Sequence, residues 1–153
     1  MIGTPAPDFS LYDTEKKKRT LSELRGQNVL LLFFPLAFTS TCTAELCGVR
    51  DNLSFYNSLD TVVIGISVDS LYSLKKYKEE LNLNFSLVSD FNTQASNAYQ
   101  CIYKTFLFEM SNVSKRAAFV IDAKGIIQYA EILEEAIEVP NFAAITICLN
   151  KLI

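Results

Sequence analysis

Two apolar stretches, Asn28-Val-Leu-Leu-Leu-Phe-Phe34 and Thr61-Val-Val-Ile-Gly-Ile-Ser-Val68, decide the fold of this chain. Continuous apolar runs of this length are typical of strands buried on both faces, as in a parallel sheet covered by helices. Between them, residues 43–59 carry apolar side chains at helical spacing: Leu46, Val49, Leu53 and Tyr56. The segment therefore predicts a β-α-β unit with parallel strands and a right-handed crossover.

The rest of the pattern predicts a mixed sheet with more helices. Hairpins are expected over residues 6–21 and over residues 117–131, the second turning at Gly125. The other expected elements are helices over 70–81 and 93–100, a strand over 85–88 and a last helix after Pro140. This order predicts an α/β protein of the thioredoxin-like fold, a mixed central sheet flanked by helices with an N-terminal β-hairpin. Because there is no repeat or linker, residues 1–153 are expected to form a single domain.

The composition excludes several kinds of catalytic site. The chain has 153 residues, four Cys and no His, with 14 Lys plus Arg against 17 Asp plus Glu and a net charge of −3. Without imidazole it can use neither a Ser-His-Asp triad nor a Cys-His pair, nor an HExxH zinc site. The mildly acidic balance also lacks the basic field of a nucleic-acid-binding protein.

The apolar segments and the cysteine spacing predict a cytoplasmic protein with no membrane partner. The most apolar stretch, residues 29–38, is interrupted by Pro35, and a membrane span needs about 20 residues. Residues 1–25 contain no apolar run long enough for a signal-peptide core. The Cys residues at positions 42, 47, 101 and 148 are not spaced like those of a secreted disulfide scaffold.

The stretch Phe34-Pro-Leu-Ala-Phe-Thr-Ser-Thr-Cys-Thr-Ala-Glu45 places a cysteine at a strand-to-helix junction. Pro35 ends the buried strand and a helix is expected to begin near Cys42, just beyond the carboxyl end of a parallel strand. Unpaired N–H groups and the positive end of the helix dipole favour a thiolate there. Thr39 adds a hydroxyl three residues before the sulfur. We therefore predict that Cys42 is a reactive nucleophile and not a buried small hydrophobe.

Three motifs in this order resemble those of the peroxiredoxins, which are thiol peroxidases on a thioredoxin-like fold. Pro35-x-x-x-Thr39-x-x-Cys42 is similar to the active-site motif of that family. The N-terminal stretch Gly3-x-x-Ala6-Pro-Asp-Phe-x-Leu11 resembles its opening motif. Arg116, just before the second hairpin, lies where the family keeps its active-site arginine.

Two branches of the family share features with this chain. Residues 33–39 followed by Glu45-Leu46 are most similar to the alkyl hydroperoxide reductase E branch. The spacing Cys42-x4-Cys47 instead resembles the bacterioferritin-comigratory-protein (PrxQ) branch.

The resemblance implies a thiol-dependent peroxidase that reduces hydrogen peroxide and organic hydroperoxides and needs no cofactor or metal. Cys42 would attack the terminal peroxide oxygen as a thiolate and become a sulfenic acid. Thr39 and backbone N–H groups around Cys42 would hold the peroxide, and Arg116 would stabilise charge as the O–O bond lengthens. Pro35 would shield the sulfur from solvent, and Glu45 would orient Arg116.

Cys47 has two interpretations. Residues five apart in a regular helix have Cα atoms about 8.5 Å apart, whereas a disulfide needs them within about 7 Å. Cys42 and Cys47 could therefore form a disulfide only if the first turns of the helix unwind, and the resemblance to the PrxQ branch implies such a resolving role for Cys47. The alternative is a Cys47 packed on the helix, with a one-Cys peroxidase recycled by an external thiol. Cys101 and Cys148 have apolar neighbours and are expected to be buried small residues.

Two other functions use the same cysteine. A thiol–disulfide oxidoreductase would carry a second Cys near position 45, where this chain has Ala44-Glu45. A non-enzymatic redox sensor or holdase would use Cys42 oxidation to change its assembly state. For the peroxidase, the resemblance implies thioredoxin or a similar thiol reductant as partner. It also implies a homodimer, to which the apolar residues around Phe38 would contribute.

Overall fold

A mixed sheet of five strands forms the centre of the structure, a computed structural model that describes residues 1–152. The described part of the chain contains two further strands outside this sheet. In chain order the strands are β1 (Ser10–Tyr12), β2 (Lys18–Thr20), β3 (Asn28–Phe33), β4 (Thr61–Ser67), β5 (Ser86–Ser89), β6 (Arg116–Ile121) and β7 (Ile127–Leu133). The central sheet has the order β5-β4-β3-β6-β7, in which β3, β4 and β5 run parallel and β6 and β7 are antiparallel to their neighbours. β1 and β2 form a separate antiparallel hairpin. The predicted mixed sheet and N-terminal hairpin are both confirmed.

Five α-helices surround this sheet in the described residues 1–152. They are α1 (Ser40–Asp51), α2 (Leu53–Ser58), α3 (Leu71–Leu81), α4 (Gln94–Ala98) and α5 (Phe142–Asn150). Short 3-10 turns lie at Leu21–Leu24 and Leu107–Glu109, and neither of them was predicted. No helix within this part of the chain combines the length and the apolar character needed to cross a membrane.

The alternation of side chains along β3 divides the core into two layers. Leu30 and Leu32 face a cluster that includes residues of α1, α3 and α5, while Leu31 and Phe33 face a cluster that includes Tyr99 and Phe9. All six residues of β3 are buried, as the apolar run predicted. Such a strand occurs at the centre of a sheet covered on both faces.

The helix predicted over residues 43–59 is two helices, and the start of the first was predicted too late. α1 begins at Ser40, so Cys42 is its third residue, and α1 ends where Asn52 leaves the helical region with φ −113° and ψ 16°. The Asn52 side chain donates a hydrogen bond to the Gly48 carbonyl at 2.9 Å. Asparagine side chains often bond to nearby backbone groups in this way and so interrupt helices.

The other predicted elements need small corrections. The strand predicted over 85–88 is β5 at Ser86–Ser89, and the helix predicted over 93–100 is the shorter α4. The turn of the second hairpin contains Gly125 with φ 86°, as predicted, a conformation that glycine adopts without a steric penalty. The last helix begins at Phe142, where the Asn141 side chain caps it by accepting a bond from the Ala144 amide at 3.0 Å.

Gly65 on β4 provides a test of packing in the layer that supports α1. A Cβ atom at this position would lie 2.6 Å from Leu87 Cδ2 and 3.4 Å from Phe34 Cε1. We expect Gly65→Ala to destabilise the protein by about 1–3 kcal/mol, because an extra methyl group forces these buried side chains to move. Urea denaturation measures the change.

Gly48→Ala is the matched control, because Gly48 lies inside α1 and a Cβ built there would meet no heavy atom within 4 Å apart from the adjacent residues and the backbone of the helix itself. Alanine is the better helix former by about 0.5–1 kcal/mol, so this variant should be at least as stable as wild type. Equal effects of the two substitutions would contradict the packing explanation.

Candidate active site

Cys42 lies at the start of α1 and is fully buried. The chain reaches it from the carboxyl end of β3 through a loop at residues 34–39. Within this loop, Phe38 has a positive φ of 68° although it is not glycine. Helix α1 starts beyond the carboxyl ends of the parallel strands β3 and β4, so Cys42 lies in its first turn, as the sequence predicted.

A cavity of about 280 Å³ opens beside this turn. Pro35, Thr39 and Thr41 line it from the loop and α1, and Arg116 lines it from β6. Pro35 is buried, and Thr39 is exposed at the N-terminal boundary of α1. The remaining wall is largely apolar: Leu36, Phe106, Leu107, Phe108, Met110, Ala136 and Ile137. The structure therefore brings three predicted site residues, Pro35, Thr39 and Arg116, to one opening next to Cys42.

The Arg116 guanidinium is held from two sides. Its Nη1 donates a hydrogen bond to Glu45 Oε1 at 2.7 Å, and its Nη2 donates to the Ala136 carbonyl at 2.8 Å. The two side chains are only 1% and 0% exposed, so this is a buried ion pair. Burial by itself would lower the pKa of Arg116, but the negative charges of Cys42 and Glu45 and their hydrogen bonds outweigh it and raise the pKa. Arg116 therefore stays charged beside the sulfur.

The Glu45 carboxyl group is the other half of this pair, and burial has the opposite effect on it. Desolvation raises the pKa of Glu45 from 4.5 to about 7, although the charge of Arg116 and the hydrogen bond from it act to lower the pKa. Within residues 1–152, Glu45 Oε2 and Arg116 Nε have no hydrogen-bond partner. The guanidinium therefore has a buried donor that its bonds to Glu45 and the Ala136 carbonyl do not use.

Thr39 is the residue before α1, but its hydroxyl does not cap the helix in the described structure. Its Oγ1 instead donates to the Leu36 carbonyl at 2.9 Å, which folds the loop back on itself. The Thr39 carbonyl accepts from the Thr43 amide at 3.0 Å and so begins the helical bonding. The first N–H groups of α1 are thus left without a side-chain cap from Thr39.

Cys47 lies on α1 and is half-buried. While α1 is fully wound, Cys42 and Cys47 are too far apart to form a disulfide, because residues five apart in a helix have Cα atoms about 8.5 Å apart and a disulfide needs them within about 7 Å. The Arg50 side chain lies near Cys47. The pKa of Arg50 is raised mainly by its hydrogen bond with Asp51, and the charge of Cys47 also raises it. The structure therefore does not bring the two sulfurs together while α1 is intact.

The two remaining cysteines lie outside the cavity. Cys101 is fully buried, and burial raises the pKa of its thiol to about 12. Cys148 is half-buried on α5, where its sulfur donates to the Gln128 carbonyl at 3.7 Å, and burial raises its pKa as well. Both surroundings favour the neutral thiol, which is consistent with the packing role predicted for them.

Sequence reasoning missed two polar residues that support the site. Asp69 follows β4 and accepts hydrogen bonds from the Ala37 amide at 2.8 Å and from Ser67 Oγ at 2.7 Å, so it holds the loop before α1. Its place after a parallel strand was a signal for a site residue. Tyr77 on α3 lies within hydrogen-bond distance of Thr43 at 3.0 Å, but the sequence predicted it only as part of the helix over residues 70–81. Nothing in the local sequence relates it to α1.

The chain is similar to known proteins in both sequence and structure. Residues 2–130 match the sequence profile of the AhpC/TSA family. Alkyl hydroperoxide reductase E of Mycobacterium tuberculosis is 38% identical, over 85% of this chain and 84% of that protein. Peroxiredoxin Bcp of Escherichia coli is 36% identical, over 83% and 82%. The crystal structure of peroxidoxin BcpB from Mycobacterium tuberculosis matches with a TM-score of 0.87 at 25% identity, over 99% of this chain and 97% of that one. The thioredoxin-like fold and the resemblance to both branches are thereby confirmed.

The raised pKa of Glu45 leads to a prediction for stability against pH. Because the folded state binds the Glu45 proton more tightly than the unfolded state, stability from this group is lost as pH rises from about 4.5 to about 7. In urea denaturation, we expect the free energy of unfolding of wild type minus that of Glu45→Gln to fall across this range and to level off above it. A difference that stays flat from about pH 5 to about pH 7 would show that Glu45 is already ionised in the folded state across this range.

Proposed function

Because this chain belongs to the AhpC/TSA family and is a peroxiredoxin, a thiol-dependent peroxidase, we propose that Cys42 is its peroxidatic cysteine and Cys47 its resolving cysteine. The observation that carries the proposal is the buried Arg116–Glu45 pair at 2.7 Å beside the start of α1. It places a permanently charged guanidinium, with one N–H group unpaired, next to a buried sulfur.

In the first step the Cys42 thiolate attacks the terminal oxygen of the peroxide. An S–O bond forms, the O–O bond breaks and the alkoxide or hydroxide leaves and takes up a proton, so that Cys42 becomes a sulfenic acid. Arg116 would stabilise the negative charge that develops on the leaving oxygen, because its donors are fixed before the reaction begins. Thr39 and the first N–H groups of α1 would hold the peroxide, while Pro35 would exclude solvent from the sulfur. Glu45 would keep the guanidinium in position.

In the second step the Cys47 thiol attacks the sulfur of the Cys42 sulfenic acid. An S–S bond forms, the S–O bond breaks and water leaves. The first turns of α1 must unwind for this to happen. Two features lower the cost of unwinding: Thr39 provides no side-chain cap in the described structure, and α1 ends after only 12 residues.

A thiol reductant then restores both cysteines. The physiological donor would be thioredoxin or a similar protein thiol, and the reaction needs no cofactor or metal. If Cys47 does not resolve Cys42, the alternative is a one-Cys peroxidase in which an external thiol reduces the sulfenic acid directly. The half-buried Cys47 on the wound helix is compatible with both routes, and experiment distinguishes them.

Expectations about location, binding partners, domain organisation and assembly belong to the same proposal. We place the protein in the cytoplasm, where thiol reductants are abundant, and expect it to bind neither nucleic acid nor membranes. Residues 1–153 would act as one domain, since α5 packs into the same core layer as α1 and α3. A homodimer is supported by exposed apolar side chains, namely Phe38 in the loop before α1 and Leu107, Phe108 and Ile137 in the wall of the cavity.

Mass spectrometry of non-reduced protein after one equivalent of peroxide tests the assignment of both cysteines. We expect a Cys42–Cys47 disulfide in wild type, no peroxide consumption by Cys42→Ser, and a sulfenic acid at Cys42 in Cys47→Ser. Cys101→Ser and Cys148→Ser are the controls and should behave as wild type. A stable sulfenic acid in wild type, with Cys47 still a free thiol, would show the one-Cys mechanism.

Arg116→Lys tests the proposed role of the guanidinium. A lysine cannot contact Glu45 and the Ala136 carbonyl and still offer a fixed third donor. We expect the second-order rate constant for peroxide reduction by reduced enzyme to fall about 100-fold, the size of effect seen when one fixed donor is lost.

Lys115→Gln is the matched control for this variant, because Lys115 is the neighbouring cation and pairs with the exposed Glu134 at 2.6 Å. Such a pair contributes little, so the rate constant should stay within about twofold of wild type. An Arg116→Lys variant as fast as Lys115→Gln would contradict the assignment of Arg116.

A further inference from the structure

Tyr77 connects α3 to the turn that carries Cys42. Its side chain is 1% exposed. The phenolic oxygen lies 3.0 Å from Thr43 Oγ1, within hydrogen-bond distance. Thr43 immediately follows Cys42, so this bond attaches the first turn of α1 to a helix that lies far away in the sequence.

The ring of Tyr77 also contacts the loop before Cys42. The Phe38 ring packs against it edge-on, with centroids 4.9 Å apart, and the Phe34 ring lies 6.2 Å away. Phe38 has φ 68°, a left-handed conformation that costs a non-glycine residue free energy unless its surroundings hold it. One side chain from α3 thus contacts residues on both sides of Cys42.

The phenol of Tyr77 lies close to both candidate redox cysteines. Burial raises the pKa of Tyr77 to about 12; its hydrogen bond with Thr43 opposes this shift, while the charges of Cys42, Cys47 and Glu45 add to it. Tyr77 is therefore a neutral hydrogen-bonding group at physiological pH. Its bond to Thr43 exists while α1 is wound and is lost when the first turn opens.

We propose that Tyr77 is a positioning residue that holds the first turn of α1 wound through Thr43, and thereby limits the rate at which oxidised Cys42 reaches Cys47. This inference rests on the proposed resolution of Cys42 by Cys47. In the wound helix, the sulfenic acid at Cys42 can react with a second peroxide, which transfers an oxygen to give sulfinic acid and leaves as alcohol or water. Opening of the turn allows the disulfide to form with loss of water. Tyr77 therefore sets the ratio between disulfide and sulfinic acid.

The test compares Tyr77→Phe, Thr43→Val and the double variant with wild type. Each single change removes one hydroxyl of the pair and keeps the shape of the side chain. The rate of Cys42–Cys47 disulfide formation after one equivalent of peroxide is measured by acid quenching and mass spectrometry. Loss of one hydrogen bond that is present only in the wound state should speed disulfide formation about fivefold, which corresponds to about 1 kcal/mol. The double variant should match the single variants, because both lose the same bond.

Two further measurements distinguish positioning from general destabilisation. Hydrogen exchange of the reduced protein should be about fivefold faster for amides of residues 42–47 in both single variants. At excess peroxide, the sulfinic acid fraction at Cys42 should fall. The matched control is Tyr99→Phe, which removes another buried hydroxyl bond, to the Pro7 carbonyl at 2.7 Å in the opposite core layer. It should change neither measurement.

The possible failures are separable. If wild type forms no Cys42–Cys47 disulfide, the proposed resolving role of Cys47 is wrong and the inference about Tyr77 is wrong with it. If wild type forms the disulfide but Tyr77→Phe forms it no faster, only the role of Tyr77 is overturned. Equal acceleration by Tyr99→Phe, or additive effects of Tyr77→Phe and Thr43→Val, would likewise contradict a specific Tyr77–Thr43 contact.

Discussion

The buried ion pair between Arg116 and Glu45 is the constraint on which the rest of the site depends. It joins the first residue of β6 to the middle of α1, and a further bond from Arg116 reaches the chain at Ala136. Removing Glu45 alone would leave the buried charge of Arg116 uncompensated, at a cost of about 3–5 kcal/mol. A buried pair of this kind adds little net stability compared with apolar residues, so its value here is the fixed position of a cation beside Cys42.

The two proposed chemical steps place opposite demands on α1. Attack on peroxide needs a wound first turn, because the helical N–H groups and Arg116 then converge on one sulfur. Disulfide formation needs the same turn to open, because a wound helix keeps Cys42 and Cys47 too far apart. The contacts of α1 reflect this balance, since Glu45 is firmly held within the helix while the Thr39 hydroxyl bonds to Leu36 and leaves the first turn uncapped. In the proposed mechanism, the stability of this single turn would therefore set the balance between the wound form that attacks peroxide and the open form that forms the disulfide.

Much of this arrangement could be predicted from local sequence. The apolar runs at residues 28–34 and 61–68 specify doubly buried strands, because their only satisfactory environment is a sheet covered on both faces. Pro35 ends the first strand, and the helix that follows must place Cys42 near its N-terminus. The break at Asn52 was missed, because apolar spacing continues from α1 into α2 and conceals a side chain that bonds to the Gly48 carbonyl.

By itself, then, the sequence determined the order of strands and helices and the family, and it predicted Cys42 as the nucleophile, because these follow from short-range patterns and motifs. Only the tertiary structure decided how Asp69 meets the Ala37 amide and Tyr77 meets Thr43, and it supplied the geometry of the Arg116–Glu45 contact that the family resemblance implied. The members of these pairs are separated by about 30 to 70 residues of chain, with separations of 71, 32 and 34. Their contacts arise when the sheet aligns β3, β4 and β6 and the helices pack against it, and no local propensity encodes that alignment.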